Sequence, residues 1–325
     1  APLRERLGRV SGELRVSAGA ELPAAASQGL LGPAFGRIGI DEARLRFRDT
    51  QADTDLTVTA STGASEGEGR RLSIEGDGRY DGDPFSLSLH ADPLLAARLP
   101  EQPFHVAMAS DIVESQISLE GSLLRPFALE GMDLQLSLAG PNPQRLSRLA
   151  GVGLPELPPY SLAAQLDLNE SRWSLTDLRG EVGDSDLRGH LEYDTRSSPP
   201  VLTGELRSRS LDLDDLAAAA GGEIPAGPGE TASPAQRRKA EAAEDDPFLL
   251  PDGPIIEISW EQVRAQVDYR ADSVTAGKLP ISELTMEFSL RDGVARLDPL
   301  SFGVGEGWID VGLELDAKRQ PPEGT

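Results

Sequence analysis

Arg71-Leu72-Ser73-Ile74-Glu75-Gly76 and Phe85-Ser86-Leu87-Ser88-Leu89 decide how this chain folds. In both stretches apolar and polar residues alternate with a period of two. Successive side chains of an extended chain point to opposite sides, so this pattern gives a strand one apolar side and one wet side. The same wording returns along the chain: at Ile117 and Leu119, at Leu134, Leu136 and Leu138, and at Leu162, Leu166 and Leu168, with a mismatch at Ala164. Further on come Leu187, Leu191 and Tyr193, then Met286, Phe288 and Leu290, then Ile309, Val311, Leu313 and Leu315. Clusters of Gly, Asp, Asn and Pro separate these runs, as hairpin connections require, and Asp292-Gly293 is the clearest tight turn. Helical periodicity is nearly absent. The class is mostly β, with antiparallel strands.

Three short helices are expected among the strands. Asp92-Pro93, Asn142-Pro143 and Asp212 each open one, because a capping side chain followed by proline or an acid suits the free amides and positive dipole end of a first turn. The chain also repeats itself. Shifting Leu166–Asp194 by 122 residues without a gap lays it on Phe288–Asp316, with Leu175, Leu178, Val182 and Gly183 falling on Leu297, Leu300, Val304 and Gly305. A weaker echo relates Leu72–Gly76 and Pro84-Phe85 to Ile117–Gly121 and Pro126-Phe127. Repeated multi-strand units indicate a sheet extended by stacking modules. Gly221–Asp246 differs: rich in Gly, Pro, Ala and Glu and without periodicity, it reads as a flexible excursion with a brief helix around Ala235–Ala243. The domain reading is therefore a β-segment over 1–220, a flexible loop over 221–250, and a continuation of the same sheet over 251–325.

Composition limits the function. A net charge of -23 with a pI near 4.5 argues against nucleic acid, whose binding runs on Lys and Arg neutralising phosphate. It equally disfavours docking on anionic membranes through a polybasic segment. The absence of cysteine removes disulfides, thiol catalysis and thiolate metal sites together. No stretch reaches the roughly 18–20 apolar residues of a membrane span. The start of the sequence, Ala1–Arg6, has no apolar run of the signal-peptide kind.

Chemistry was sought in the usual signatures. His90, His105 and His190 stand isolated in strand patterns, without the spacing of zinc ligands. Nucleophile elbows, Walker loops and dinucleotide fingerprints do not occur. Asp77–Asp83 faintly resembles a calcium loop but reads better as a hairpin end, since Asp and Gly are turn residues. Trp173, Trp260 and Trp308 are scattered, which disfavours a sugar platform, and Trp173 and Trp308 are expected to pack on a sheet face. The expectation is no enzyme, no cofactor and no metal.

An antiparallel sheet with one apolar side leaves two readings. Either that side is a hydrophobic trough for an apolar ligand, or it is the core of a closed sandwich or barrel. The candidate lining residues are Leu72, Ile74, Leu87, Leu89, Ile117, Leu119, Leu134, Leu136, Leu166, Leu168, Leu187, Leu191, Phe288, Leu290, Val311 and Leu313.

Leu154–Leu162, Trp173–Gly189, Leu202–Leu216, Glu230–Pro234, and Leu290–Val294 through Phe302–Val304 form a further pattern. In these stretches the chain resembles the AsmA-like family of periplasmic lipid-transport proteins. The resemblance implies an elongated, curved repeating β-groove in the periplasm, tethered by an inner-membrane helix that lies outside this sequence. It implies phospholipid acyl chains as ligand, carried between inner and outer membrane in support of outer-membrane homeostasis. It brings no catalytic residues. The alternatives are a structural or assembly factor of the cell envelope that binds other proteins, and, third, a sugar-active β-enzyme.

About sixteen strands spaced roughly 4.8 Å apart would form a trough on the order of 75 Å long. Small-angle scattering should therefore report an elongated particle; the profile of a compact sphere would count against the groove.

Overall fold

The computed structural model describes residues 9–19, 37–50, 52–64, 70–93, 96–98, 102–150, 154–217, 226–227, 229–244, 263–276, 281–316 and 323–324. The chain divides into two units, Ala1–Gln135 and Leu136–Thr325. The first contains β1 (Arg9–Gly19), β2 (Arg37–Asp49), β3 (Thr54–Ala64), β4 (Arg70–Tyr80), β5 (Asp83–Ala91), β6 (Phe104–Ile112), β7 (Ser115–Arg125) and the opening half of β8 (Glu130–Gly140). From β1 to β7 every strand pairs antiparallel with the next. The stretch with a faint calcium-loop look is the β4–β5 hairpin. Asp81 and Gly82 form its tip with φ of 52° and 84°, the left-handed pair that a two-residue connection requires.

The second unit contains β9 (Tyr160–Asn169), β10 (Arg172–Val182), β11 (Ser185–Asp194), β12 (Val201–Asp212), β13 (Arg264–Thr275), β14 (Ile281–Arg291), β15 (Val294–Val304), β16 (Gly307–Asp316) and the two-residue β17 (Glu323–Gly324). Neighbours pair antiparallel with one exception. β12 and β13 run parallel, Val201 beside Arg264 through Asp212 beside Thr275. The sheet is otherwise antiparallel, as the sequence led one to expect, with this one parallel seam. A parallel pair needs a connection that travels back along the strand, and the stretch between Asp212 and Arg264 performs that return.

The described part of the return segment is tied to the rest of its unit by hydrogen bonds. α2 (Pro234–Glu244) lies within it, close to the brief helix foreseen there. Its start is a reciprocal capping box. The Ser233 N–H donates to Gln236 Oε1 (2.9 Å), and the Gln236 N–H donates to Ser233 Oγ (3.2 Å). The Gln236 side-chain amide also donates to the Leu157 carbonyl (2.8 Å), and Thr231 donates to the Asp184 carboxylate through both its N–H and its hydroxyl. Ala232, Ser233 and Gln236 are buried. These anchors are polar and join residues 47 to 79 apart in sequence, so apolar periodicity does not register them. Residues 218–225, 228 and 245–262 lie outside the described residues.

The other expected helices are shorter than foreseen. Asn142 caps a 3-10 turn over Pro143–Leu146 by accepting from the Gln144 N–H (3.0 Å), and α1 (Ser147–Ala150) follows. Asp212 caps a 3-10 turn over Leu213–Leu216 in the same way. Asp92 uses its carboxylate instead to accept from the backbone and ring of His105, and a 3-10 turn covers Ala96–Arg98. Two of these turns seal strand ends. Ala97 packs with Ala91, Phe104, Leu72 and Leu89 in the first unit, and Leu213 packs on Leu211, Ala271, Val274 and Leu284 in the second.

One hairpin tip stands apart. The described connections carry charge at Asp53, Asp81, Glu114, Glu170, Asp184, Arg196, Asp292 and Glu306. Pro126-Phe127-Ala128-Leu129, between β7 and β8, carries none.

The repeat at a shift of 122 is visible in the geometry. β10 slips register between Leu175 and Leu178 against β11, and β15 slips between Leu297 and Leu300 against β16. Leu178 then faces Gly189 and Val182 faces Ser185, while Leu300 faces Val311 and Val304 faces Gly307. The turns agree as well, with Gly183 at φ 60° and Gly305 at φ 59°. Their surroundings differ. A Cβ on Gly183 would fall on the carboxylate of Asp215, which is buried and accepts from the Ser185 hydroxyl (2.6 Å) and the Asp184 N–H (2.9 Å). Burial pushes that carboxyl above its ordinary value, while the Ser185 and Asp184 hydrogen bonds pull it back. A Cβ on Gly305 would meet open space. Gly305→Ala is therefore expected to cost about 1 kcal/mol, the left-handed penalty alone. Gly183→Ala should cost about 2–4 kcal/mol, since the pinned carboxylate must also move. Urea denaturation of the two variants measures the difference.

Candidate functional site

Residues paired across neighbouring strands share a face, so the registers show which side chains lie together. In the first unit one row runs Ala43, Ala60, Ile74, Leu89, Met108, Leu119 across β2 to β7. The adjacent row runs Leu45, Val58, Gly76, Leu87, Ser110, Ile117. A third contains Thr62, Leu72, Ala91, Val106 and Gly121. Between these rows, on the other face, stand Arg44, Thr59, Glu75, Ser88, Ala109 and Ser118. Leu72, Ile74, Leu87, Leu89, Ile117 and Leu119 therefore lie on one apolar side. All six are half-buried. The centre of a closed sandwich would bury them completely. Leu134, whose Cα lies against Gly121, is 4% exposed and packs as core. Leu136 is half-buried on β8.

The second unit has the same construction over more strands. Leu166, Leu175, Leu191, Gly204, Val267, Phe288, Leu297 and Leu313 form one row from β9 to β16. Leu168, Trp173, Tyr193, Leu202, Ala265, Leu290, Ala295 and Leu315 form the next. Leu178, Gly189, Leu206, Tyr269, Met286, Leu300 and Val311 form a third, and Leu187 shares that side through its pairing with Gly180. Leu166, Leu187, Leu191, Phe288 and Val311 are half-buried, Leu168 and Leu290 are buried, and Leu313 is exposed. Ala164, the apparent mismatch, is buried on the same side, beside the stretch where β10 slips register. Of the tryptophans expected on a sheet face, Trp173 belongs to the apolar rows. Trp308 does not pack: it pairs with Gly303 on the opposite side and is 58% exposed. Trp260 lies outside the described residues.

Sequence reading missed Met108, Val58, Leu206, Val267, Tyr269 and Leu297 on these faces. In β3 and β6 alanine, serine and threonine dilute the alternation. In β12 and β13 two wet residues separate buried Ser208 from Leu211 and buried Ala271 from Val274, which breaks the period of two.

The opposite side of the second unit is charged. Arg179, Arg188, Arg207 and Arg270 stand in one row across β10 to β13. The neighbouring row holds His190, Glu205, Asp268 and Glu287. Arg188 and Arg209 approach Asp186 (3.8 and 3.3 Å), and Arg207 approaches Glu205 (4.0 Å), so this polar hollow is electrically mixed. Such exposed pairs contribute little stability each. They keep this side wet.

The fold and site together define a β-sheet protein in which each unit presents an incompletely covered apolar face, backed in the second unit by a charged one. The chain belongs to the AsmA family, whose pattern matches residues 75–325. It is 28% identical over 309 residues, 87% of its own length, to the AsmA family protein YhjG of Escherichia coli strain K12. The match spans 45% of that protein's length. No solved structure matches. The family is one of cell-envelope proteins, generally non-catalytic. Among the described residues no helix is long and apolar enough to cross a membrane.

Proposed function

We propose that the chain is a lipid-binding segment of a periplasmic conduit, with phospholipid acyl chains lying along the apolar faces. In this reading it carries phospholipid between inner and outer membrane, supports outer-membrane homeostasis, and is held at the inner membrane by a part of the protein outside this sequence. One observation carries the proposal. Most of the apolar rows stay partly exposed at mid-strand, Leu134 and Leu178 excepted, while short turns and small residues bury their ends. A soluble protein rarely leaves so much contiguous apolar surface without a ligand for it. Each buried methylene of an acyl chain contributes about 0.8 kcal/mol, so ten of them supply about 8 kcal/mol before the cost of association. Affinity of that kind needs no charged contact, which suits a chain of net charge -23. The protein acts as a non-catalytic surface on which lipid moves, and its specificity lies in the width and continuity of the rows.

Leu119 and Ser118 provide the test. They are neighbours on β7, Leu119 in an apolar row and Ser118 on the wet side. Mass spectrometry of the purified chain should detect retained phospholipid. Leu119→Asp should lower the retained amount about tenfold or more, since a charge beside an acyl chain must be desolvated. Ser118→Asp should leave it nearly unchanged. Circular dichroism verifies that both variants are folded. A folded Leu119→Asp protein holding as much lipid as Ser118→Asp refutes the trough. An unfolded one shows that the face is sealed core.

A further inference from the structure

The β7–β8 connection has a construction unlike any other described hairpin tip. Phe127 is 78% exposed, Leu129 49% and Leu124 44%. The turn is well made: the Ala128 N–H donates to the Arg125 carbonyl (3.0 Å) and the Leu129 N–H to the Pro126 carbonyl (3.3 Å). Leu129 adopts φ 53°, a left-handed conformation that branched and bulky side chains rarely take. Backbone strain is thus tolerated at a residue that presents an isobutyl group to solvent. The two charges at the base, Arg125 and Glu130, pair with each other. The protruding part therefore carries no net charge in a chain that is otherwise strongly acidic.

We infer that this tip is a membrane-contact element, inserting Phe127 and its leucine neighbours into the interfacial layer of an electrically neutral lipid bilayer. Three features select that occupant over a protein partner. A charge-matched protein surface would be met by unpaired charges, and the tip has none to offer. The pairing at the base reduces the net charge brought to the boundary as the apolar residues enter, while the two partly exposed ions stay hydrated at its edge. Phenylalanine and leucine beside an arginine with a long apolar stem form the side-chain set that settles at a lipid–water boundary. The net charge of -23 would repel an anionic surface, so the contact should be apolar in origin and insensitive to salt.

The inference goes beyond lipid carriage along the trough, and vesicle flotation separates the two. The 325-residue chain should float with vesicles of pure phosphatidylcholine, and raising the salt concentration should not release it. Phe127→Ser should lower the floating fraction about tenfold, the change expected when about 1.4 kcal/mol of apolar burial is lost. Phe127→Trp should still float, and its fluorescence should shift to the blue on vesicles relative to the unsubstituted chain. Phe127 is solvent-exposed, so both variants should fold, and circular dichroism checks this. Leu119→Asp, which obstructs the trough, should float like the unsubstituted chain. No flotation by the unsubstituted chain overturns the inference and leaves the tip to a protein partner. Undiminished flotation of Phe127→Ser, or loss of flotation in a Leu119→Asp protein that circular dichroism shows to be folded, also overturns it and assigns the vesicle contact to the apolar face.

Discussion

The structure depends on backbone register. Each strand holds its neighbour through paired amides and carbonyls, and because side chains alternate sides, a slip of one residue would exchange the apolar and wet faces of that strand. In the first unit the ladder from β2 to β7 never slips: Ile74, Leu89, Met108 and Leu119 stand in one line because their strands are locked in step. In the second unit slips do occur. β10 and β15 shift at one level, between Leu175 and Leu178 and between Leu297 and Leu300, and β14 shifts at another, beside the two wet positions that separate the buried residues of β12 and β13. In each case buried or apolar residues stand three apart across the irregularity, so the rows remain apolar on both sides of it.

Burial is concentrated at the margins of the sheet. Ala97 folds onto Leu72 and Phe104 in the first unit, and Leu213 folds onto Leu211 and Val274 in the second. The ends of the strands thus receive compact cores while most of the middle, Leu134 and Leu178 apart, keeps partial contact with solvent. Glycines at Gly76, Gly189 and Gly204 interrupt the rows where neighbours close in on the backbone: a Cβ there would meet Phe85 and Leu87, the Glu205 carbonyl, and the His190 carbonyl with Leu191 respectively. Arginines and carboxylates on the reverse side prevent a second sheet from stacking there without desolvating many charges. The charged face therefore helps to decide which side is available to apolar partners.

The parallel seam between β12 and β13 links topology to the acidic corner at Asp215. The chain must return the length of a strand between them, and it uses the excursion to place α2 against Leu157 and Thr231 against Asp184. Asp184 belongs to the β10–β11 turn, which buried Asp215 also holds through the Asp184 N–H. One carboxylate pair thus ties together a hairpin end, the turn after β12 and the segment entering α2. In the repeat-related hairpin the position of Gly305 has no such neighbour, so equivalent turns in the two copies serve different packing needs.

Much of this was legible from residues alone. Period-two alternation revealed the strand class and put Leu72, Ile74, Leu87, Leu89, Ile117 and Leu119 on one side, and Asp292-Gly293 announced its hairpin. The 122-residue repeat pointed to repeated multi-strand units, and the structure adds that the two copies share a register slip. What the sequence hid has physical reasons. A parallel pairing is decided by where a distant strand docks, and nothing in Val201–Asp212 or Arg264–Thr275 encodes its partner's direction. The helix α2 was foreseen, but the hydrogen bonds that anchor it and the segment before it, Gln236 to the Leu157 carbonyl and Thr231 to Asp184, leave no apolar pattern. Phe127 looked like a second copy of Phe85, yet Phe85 lies in a strand and Phe127 projects from a turn, because the echo preserves residue types and not the hairpin length. Local chemistry determines which faces of single strands avoid water. Only the tertiary structure decides which faces join, which ends are sealed and which remain open, because those outcomes depend on register and on contacts between residues far apart in the chain.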